Sequence, residues 1–482
     1  MQERSPWPFN LSVAKVLIAF LLLPFPACRT SPSATPATDA VVRIGVTDIE
    51  TSALVENLVV ESLGRVADDG RVVPRLAQSW TLSDDALKLT IHLRKDLKFH
   101  DGSIVTADLV ADTLTKGIRD SMGPAFADVA SIRATSPDTV EIALTRPSPF
   151  VVEALDTPIR KPGPLAIGTG PFRSLPNATE LVANDAYYLG APTVERVTLT
   201  EYPTARAAWA ELLRNRIDMI YEVGVDALDS LESSTTVTLY PFTRRYQYLL
   251  LFNTAAPSLK SAEVRRALAA AIDRKQFIQD ALLGNGEVSN GPVWPRHWAA
   301  RDLPASSYDP RYAAGVFSRA RLTIHCLVPS GTERLALVLQ RQLHAVGVDM
   351  ILEPRTPNAA TDDVRKGQFE AFISPAISGP TLLRPYVWWH SAGSRNWGHY
   401  SNPEVDAAFD TIRNARSDDE YARGVASLQR GIIADPPAVF LAWDVKARAV
   451  SKRLLVSAEP GVDIMGSLRT WQVNTLTARN GP

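Results

Sequence analysis

LAQSWTLSDDALKLTIHLRKDLKFHDGSIVTADLVADTL, residues 76 to 114, holds two kinds of local order back to back. Leu87, Leu89, Ile91 and Leu93 alternate with Lys88, Thr90, His92 and Arg94, the period of a strand with one buried face. His100-Asp101-Gly102-Ser103 then predicts a turn. Thr106 stands as a helix cap before Asp108, with Val110, Leu114 and Ile118 at helical spacing. The stretch therefore reads as a β-rich region carrying one inserted helix.

Upstream, Val41 to Val46 is a short β-branched run suited to a buried strand, and Ala53 to Leu63 carries helical spacing. Downstream, Ile167-Gly168-Thr169-Gly170-Pro171-Phe172 predicts a sharp reversal. Thr204 caps a helix bearing Ala208, Trp209, Leu212 and Leu213, and Ile217 to Ile220 is a short apolar strand. RRYQYLLLFNT, Arg244 to Thr254, is apolar enough for a central strand covered on both faces, and one helix is expected over Glu263 to Leu283. Leu322 to Val328, Glu333 to Val346 and Val348 to Leu352 make a β-α-β unit, which predicts a parallel sheet with covering helices. AVFLAWDV, Ala438 to Val445, could return the chain to the first half. Two crossings, near 245 and near 442, would form a hinge between two α/β lobes.

The chain has 482 residues, with 51 basic against 52 acidic side chains and a formal net charge of -1. That length exceeds what one core normally serves, and the charge balance argues against a dedicated nucleic-acid binder. Residues 1 to 27 place Arg4 and Lys15 before the apolar run Val16 to Leu23, with Ala27 preceding Cys28. This is the pattern of a secretory signal peptide. Cleavage there removes Glu3, Arg4 and Lys15, leaving 49 basic and 51 acidic residues. Cys28 is the candidate lipidation site, with simple cleavage as the alternative, and residues 28 to 41 read as a tether too polar and Pro-rich to fold. The protein is then expected in the periplasm or at the cell surface, held to the membrane by a lipid alone. Cys326, in LTIHCLV, is expected to be a buried strand residue.

No nucleophile elbow, phosphate loop or metal-spaced Cys/His cluster occurs, and the seven His are scattered. Catalysis, a cofactor and a metal are not expected. Recognition residues concentrate instead in Arg384, Tyr386, Trp388, Trp389, Arg395 and Trp397, in what reads as loop sequence. Trp and Arg supply large contact area and fixed donors, although core packing would equally explain the tryptophans. A second candidate set is Arg244, Arg245 and Tyr246 at the first crossing, where guanidinium groups suit a carboxylate, sulfate or phosphate. Solvated arginines at a strand mouth are the alternative.

The opening stretch resembles family 5 of the bacterial extracellular solute-binding proteins, the peptide, nickel and oligosaccharide receptors of ABC importers. The likeness runs through Leu76-Ala77-Gln78-Ser79-Trp80, Lys98-Phe99-His100-Asp101-Gly102 and Thr106-Ala107-Asp108-Leu109-Val110. It continues in IGTGPF, NDAYYLGAP, LLRNRIDMI and FNTAAPSLKSAEVRRALAAAIDRKQFI, and spans residues 42 to 450. The resemblance implies an α/β, two-lobed periplasmic-binding-protein fold with two hinge crossovers and an extra β-rich subdomain in the first lobe. On that basis lobe 1 covers 42–245 with an insertion at about 60–165, lobe 2 covers 246–442, and 443–482 returns to lobe 1. It also implies a receptor that closes on a small solute, peptide-like or otherwise organic with an anionic or polar end, and hands it to an ABC permease in the inner membrane. A monomer is expected, and a ligand-sensing lipoprotein without transport is the alternative. Peptide-binding members carry a Trp-x-x-Asp element in the second lobe; FEAFISPAISGPTLLRPY, Phe369 to Tyr386, has no Asp, so the usual partner of a peptide's α-amine is missing.

Overall fold

Two long strands, Val237–Phe252 and Ala438–Ser451, run antiparallel side by side through an eleven-stranded sheet. The computed structural model describes residues 40–47, 51–161, 167–176, 179–224, 228–300, 303–318 and 321–474. The signal and anchor readings, Cys28 included, lie outside these residues. Among the described residues no helix is long and apolar enough to cross a membrane.

On one side of the long pair lie Met219–Ile220, Val41–Thr47, Arg196–Tyr202, Glu180–Ala183 and Phe172–Ser174, the first lobe. On the other lie Ala371–Ile377, Leu322–Pro329 and Val348–Arg355, the second. Leu322–Pro329 and Val348–Arg355 are parallel, as a β-α-β unit requires, and the Glu333–His344 helix links them. At the end of Val237–Phe252 successive side chains enter opposite cores, Leu249 and Leu251 one and Leu250 and Phe252 the other. Four consecutive apolar residues are needed because helices cover both faces there.

The opening stretch forms the subdomain. Its strands, in the order Ala77–Leu82, Lys88–Leu93, Thr139–Leu144, Val129–Ser136, make an antiparallel sheet, with Leu89, Ile91 and Leu93 facing the core. Thr106 caps helix Ala107–Met122 through the Leu109 amide, as its position predicts. A two-stranded ribbon, Glu61–Ser62 with Pro158–Ile159, ties the subdomain to lobe 1. His100 fixes the base of this attachment: its amide donates to Gly168 O at 3.0 Å, and its Nε2 lies 3.0 Å from Gly170 O. A Cβ at Gly168 or Gly170 would collide with the backbone of residues 58 to 60, which is why that reversal needs both glycines.

The subdomain also shares one continuous core with lobe 2, where Phe150 meets Tyr386 with ring centroids 5.3 Å apart. Inside that contact Asp128, fully buried, takes a two-pronged salt bridge from Arg413 at 2.6 and 2.7 Å. Ser148 Oγ donates to the same carboxylate at 2.9 Å and Arg146 pairs with it at 2.7 Å.

Three sequence expectations are corrected. The first helix is Thr51–Val59 rather than Ala53 to Leu63, because Glu61 and Ser62 are drawn into the ribbon. The helix expected over Glu263 to Leu283 is two, Ala262–Ala270 and Arg274–Leu282. Asp273 caps the second through the Gln276 amide, and buried Arg274 reaches the Phe440 carbonyl at 2.7 Å. The central strand starts at Val237, not Arg244, so one strand serves both lobes.

Candidate ligand cleft

The ladder between the two long strands shifts register at two places, between Thr243 and Gln247 and between Tyr248 and Leu249, and the first is the wider. Thr243 pairs with Val445 and Gln247 with Trp443, so Arg244, Arg245 and Tyr246 stand opposite Asp444 alone. This bulge pushes the three residues out of register and aims them differently. Arg244 turns to Glu222 at 3.2 Å and stacks over the Tyr246 ring at 4.5 Å. Arg245 instead enters a cavity of about 380 Å³ between the lobes, where its Nη2 donates to the Val66 carbonyl at 2.8 Å.

Arg384, Trp388 and Arg395 line the same cavity, with Ile377, Pro380 and Leu383 as apolar wall. Residues 383 to 389 are a helix, Leu383–Trp389, not the loop expected. The helical turn puts Arg384 and Trp388, four apart, on the cleft side. It sends Tyr386 and Trp389 the other way. Tyr386 is 1% exposed, packed on Phe150 and Phe409, and its hydroxyl accepts from Arg413 Nη1 at 3.1 Å. Trp389 is buried edge-on against Phe440. Both expected ligand contacts are therefore corrected to core residues. Trp397 supports Trp388 edge-on at 5.1 Å and Tyr246 supports Arg244, and neither lines this cavity.

Sequence reasoning missed the opposite wall. Asp156, Asp120 and Glu153 come from the subdomain, and no local motif marks them. Asp156 receives the Ser62 hydroxyl at 3.3 Å; burial raises its pKa, and Arg245, Ser62, Arg384 and Arg65 pull the other way. Glu153 accepts from the Leu383 amide at 2.8 Å and the Tyr421 hydroxyl at 2.6 Å, linking the subdomain to lobe 2. Burial nevertheless pushes its carboxyl up to about 7.

Among the described residues, the side chains of Arg384 and Arg395 have no hydrogen bond and no salt bridge, and Arg245 has only the backbone oxygen. Burial lowers the Arg384 pKa, and the charges of Arg395 and Arg245 lower it further while Asp156 opposes them. Such a site has several unfilled donors and an excess of positive charge. It can hold an anion in water's place, but it offers no nucleophile poised beside a base. His390 and His399 do not assemble a metal site, and no cluster of metal-binding residues occurs among the described residues. Cys326 is a fully buried strand residue whose thiol burial pushes up to about 12.

The family model for bacterial extracellular solute-binding proteins, family 5, matches residues 71–398. The chain belongs to this family. As a family 5 protein it is an extracytoplasmic substrate-binding receptor of an ABC importer. It is 28% identical over 408 residues to the periplasmic protein DdpA of Escherichia coli, covering 76% of this chain and 78% of that one. It is 24% identical over 459 residues to the oligopeptide-binding protein AppA of Bacillus subtilis, covering 84% of each. The fold is similar to that of NikZ from Campylobacter jejuni, solved with Ni(L-His), at a TM-score of 0.76 and 23% identity, over 90% of this chain and 99% of that one. The two-lobed family 5 architecture expected from the sequence is the one observed.

Proposed function

We propose that this receptor captures a small organic solute through an anionic end. Arg245, Arg384 and Arg395 hold the anion and Trp388 covers an apolar or ring-bearing body. The observation that carries this reading is the set of three guanidinium groups facing one cavity with no salt bridge to a carboxylate. A cavity of about 380 Å³ suits a small molecule rather than a long peptide. Arg245 sits where the strands cross, and Arg384, Trp388 and Arg395 belong to the second lobe. A ligand touching both sides would favour the closed arrangement through its extra contacts there. We place the lobe boundaries at the bulge, near 245 and 442, and expect a monomer.

Residues 1 to 27 are proposed as a cleaved signal and Cys28 as the lipid anchor; Cys28→Ser should release the protein from the membrane fraction. Native mass spectrometry of protein released gently from its host would identify the bound solute. Calorimetry with that solute then tests the site: Arg384→Ala and Arg395→Ala should each weaken binding about tenfold or more. Unchanged affinity in both variants would remove the anion-end reading.

A further inference from the structure

A second cavity, about 280 Å³, adjoins the first, and Asp156 and Arg245 line both. Its walls belong to lobe 1 and the subdomain and include Arg65, Arg75 and Arg469. Two of these cations are engaged: Arg75 pairs with Glu61 at 3.7 Å, and Arg469 stacks over Tyr187 at 5.7 Å while donating to the Leu189 carbonyl. Arg65 is different. Among the described residues its guanidinium has no hydrogen bond and no salt bridge. Its side chain is exposed at the rim of this cavity. Partial desolvation by the surrounding walls lowers its pKa, and the charges of Arg75 and Arg245 lower it further, against weaker help from Asp156 and Glu459.

From these residues we infer that the solute carries two anionic groups, one bound by Arg384 and Arg395 and the other by Arg65, with Arg245 and Asp156 between them. The inference rests on the anion-end reading and adds a second subsite to it. Charge supports it. Together the two linings hold six arginines, Arg65, Arg75, Arg245, Arg384, Arg395 and Arg469, against the carboxyl groups of Glu61, Asp120, Glu153 and Asp156, an excess of two positive charges. Glu153 is turned to the Leu383 amide and Tyr421 hydroxyl. A single anion leaves one of those charges uncompensated, whereas a dianion balances both. Geometry supports it too, because the arginines without partners lie in two adjoining cavities rather than in one. Asp156, positioned between them, leaves room for a cationic or hydrogen-bond-donating group in the middle of the solute.

The test uses linear dicarboxylates from glutarate to azelate and their monomethyl esters as probes, with binding read by calorimetry. At least one diacid should bind ten times more tightly than its half-ester. Arg65→Ala should bring that ratio to about one, and Arg65→Lys should restore part of it, with unchanged circular dichroism showing that both variants fold. A ratio that persists in Arg65→Ala, a half-ester that binds as well as its diacid, or no binding of any diacid at millimolar concentration would overturn the two-anion inference. Half-ester binding that ignores both Arg384→Ala and Arg395→Ala would instead overturn the anion-end reading beneath it.

Discussion

Two groups of arginines in this molecule are built in opposite ways. Arg413 lies inside the subdomain–lobe 2 contact with its donors spent on Asp128 and on the Tyr386 hydroxyl. Burial is the largest influence and lowers its pKa, but the hydrogen bonds to Asp128 together with the electrostatic pull of Tyr386, Asp128 and Asp410 leave it raised. Arg65 and Arg384 face cavities without a salt bridge, and desolvation and neighbouring cations lower their pKa values against the weaker pull of Asp156. The difference separates structure from recognition. A saturated guanidinium holds two pieces of protein together; on the proposed reading, an exposed one without a salt bridge keeps donors that a ligand's anion would take over from water.

The largest expected break of this contrast is Arg413→Ala. It leaves a fully buried carboxylate with only Arg146 and Ser148, and should lower stability by about 3 kcal/mol in urea unfolding. The double variant Asp128→Leu with Arg413→Met should recover most of the loss, since no charge is then stranded.

Glu153 gives the next effect. Its folded pKa, near 7, lies above the usual carboxylate value, so the folded state holds a proton that the unfolded state releases. Stability from this group is fully present below about pH 4.5 and is lost as pH rises through 7, on the order of 2 kcal/mol across that window. Unfolding measured from pH 5 to 8 should show this decline, and Glu153→Gln should flatten it. An unchanged slope in the variant would assign the decline to other groups.

Arg384→Ala should move the two readouts apart. Anion affinity falls about tenfold, while stability without ligand changes by less than about 0.5 kcal/mol, because no ion pair is broken and one repelling charge is removed. The smallest effect concerns Cys326. Peptide mapping after iodoacetamide treatment of the folded protein should find it unmodified, as a buried thiol with a pKa near 12 supplies almost no thiolate.

The sequence carried the framework far because each element announced itself locally. Thr106 and Thr204 stand where they cap, and Leu89, Ile91 and Leu93 alternate as they pack. The cleft was legible on one side only. Arg384 and Trp388 were found, but reading 383 to 389 as loop removed the one rule that sorts them from Tyr386 and Trp389: residues four apart share a helix face. Asp156, Glu153 and Arg65 could not be found this way. They sit more than 200 residues from Arg384 along the chain, and only the docking of the subdomain brings them to it. The break between the helices at Ala271 to Asp273 was written in Asp273, a good capping residue hidden inside an uninterrupted apolar period.

The bulge at Arg244 to Tyr246 couples two properties that a receptor could have kept apart. A ladder interrupted there bends more readily than one with every rung in place, and the interruption is also what delivers Arg245 to the cavity. On the proposed reading, a ligand that grips that guanidinium would pull on the pivot itself. A substitution at this position would alter how the molecule shuts as well as what it holds, whereas the cleft face of helix Leu383–Trp389 lies off the axis. Changes of ligand preference that spare the closing motion should accordingly be easier to make at Arg384 and Trp388 than at Arg245.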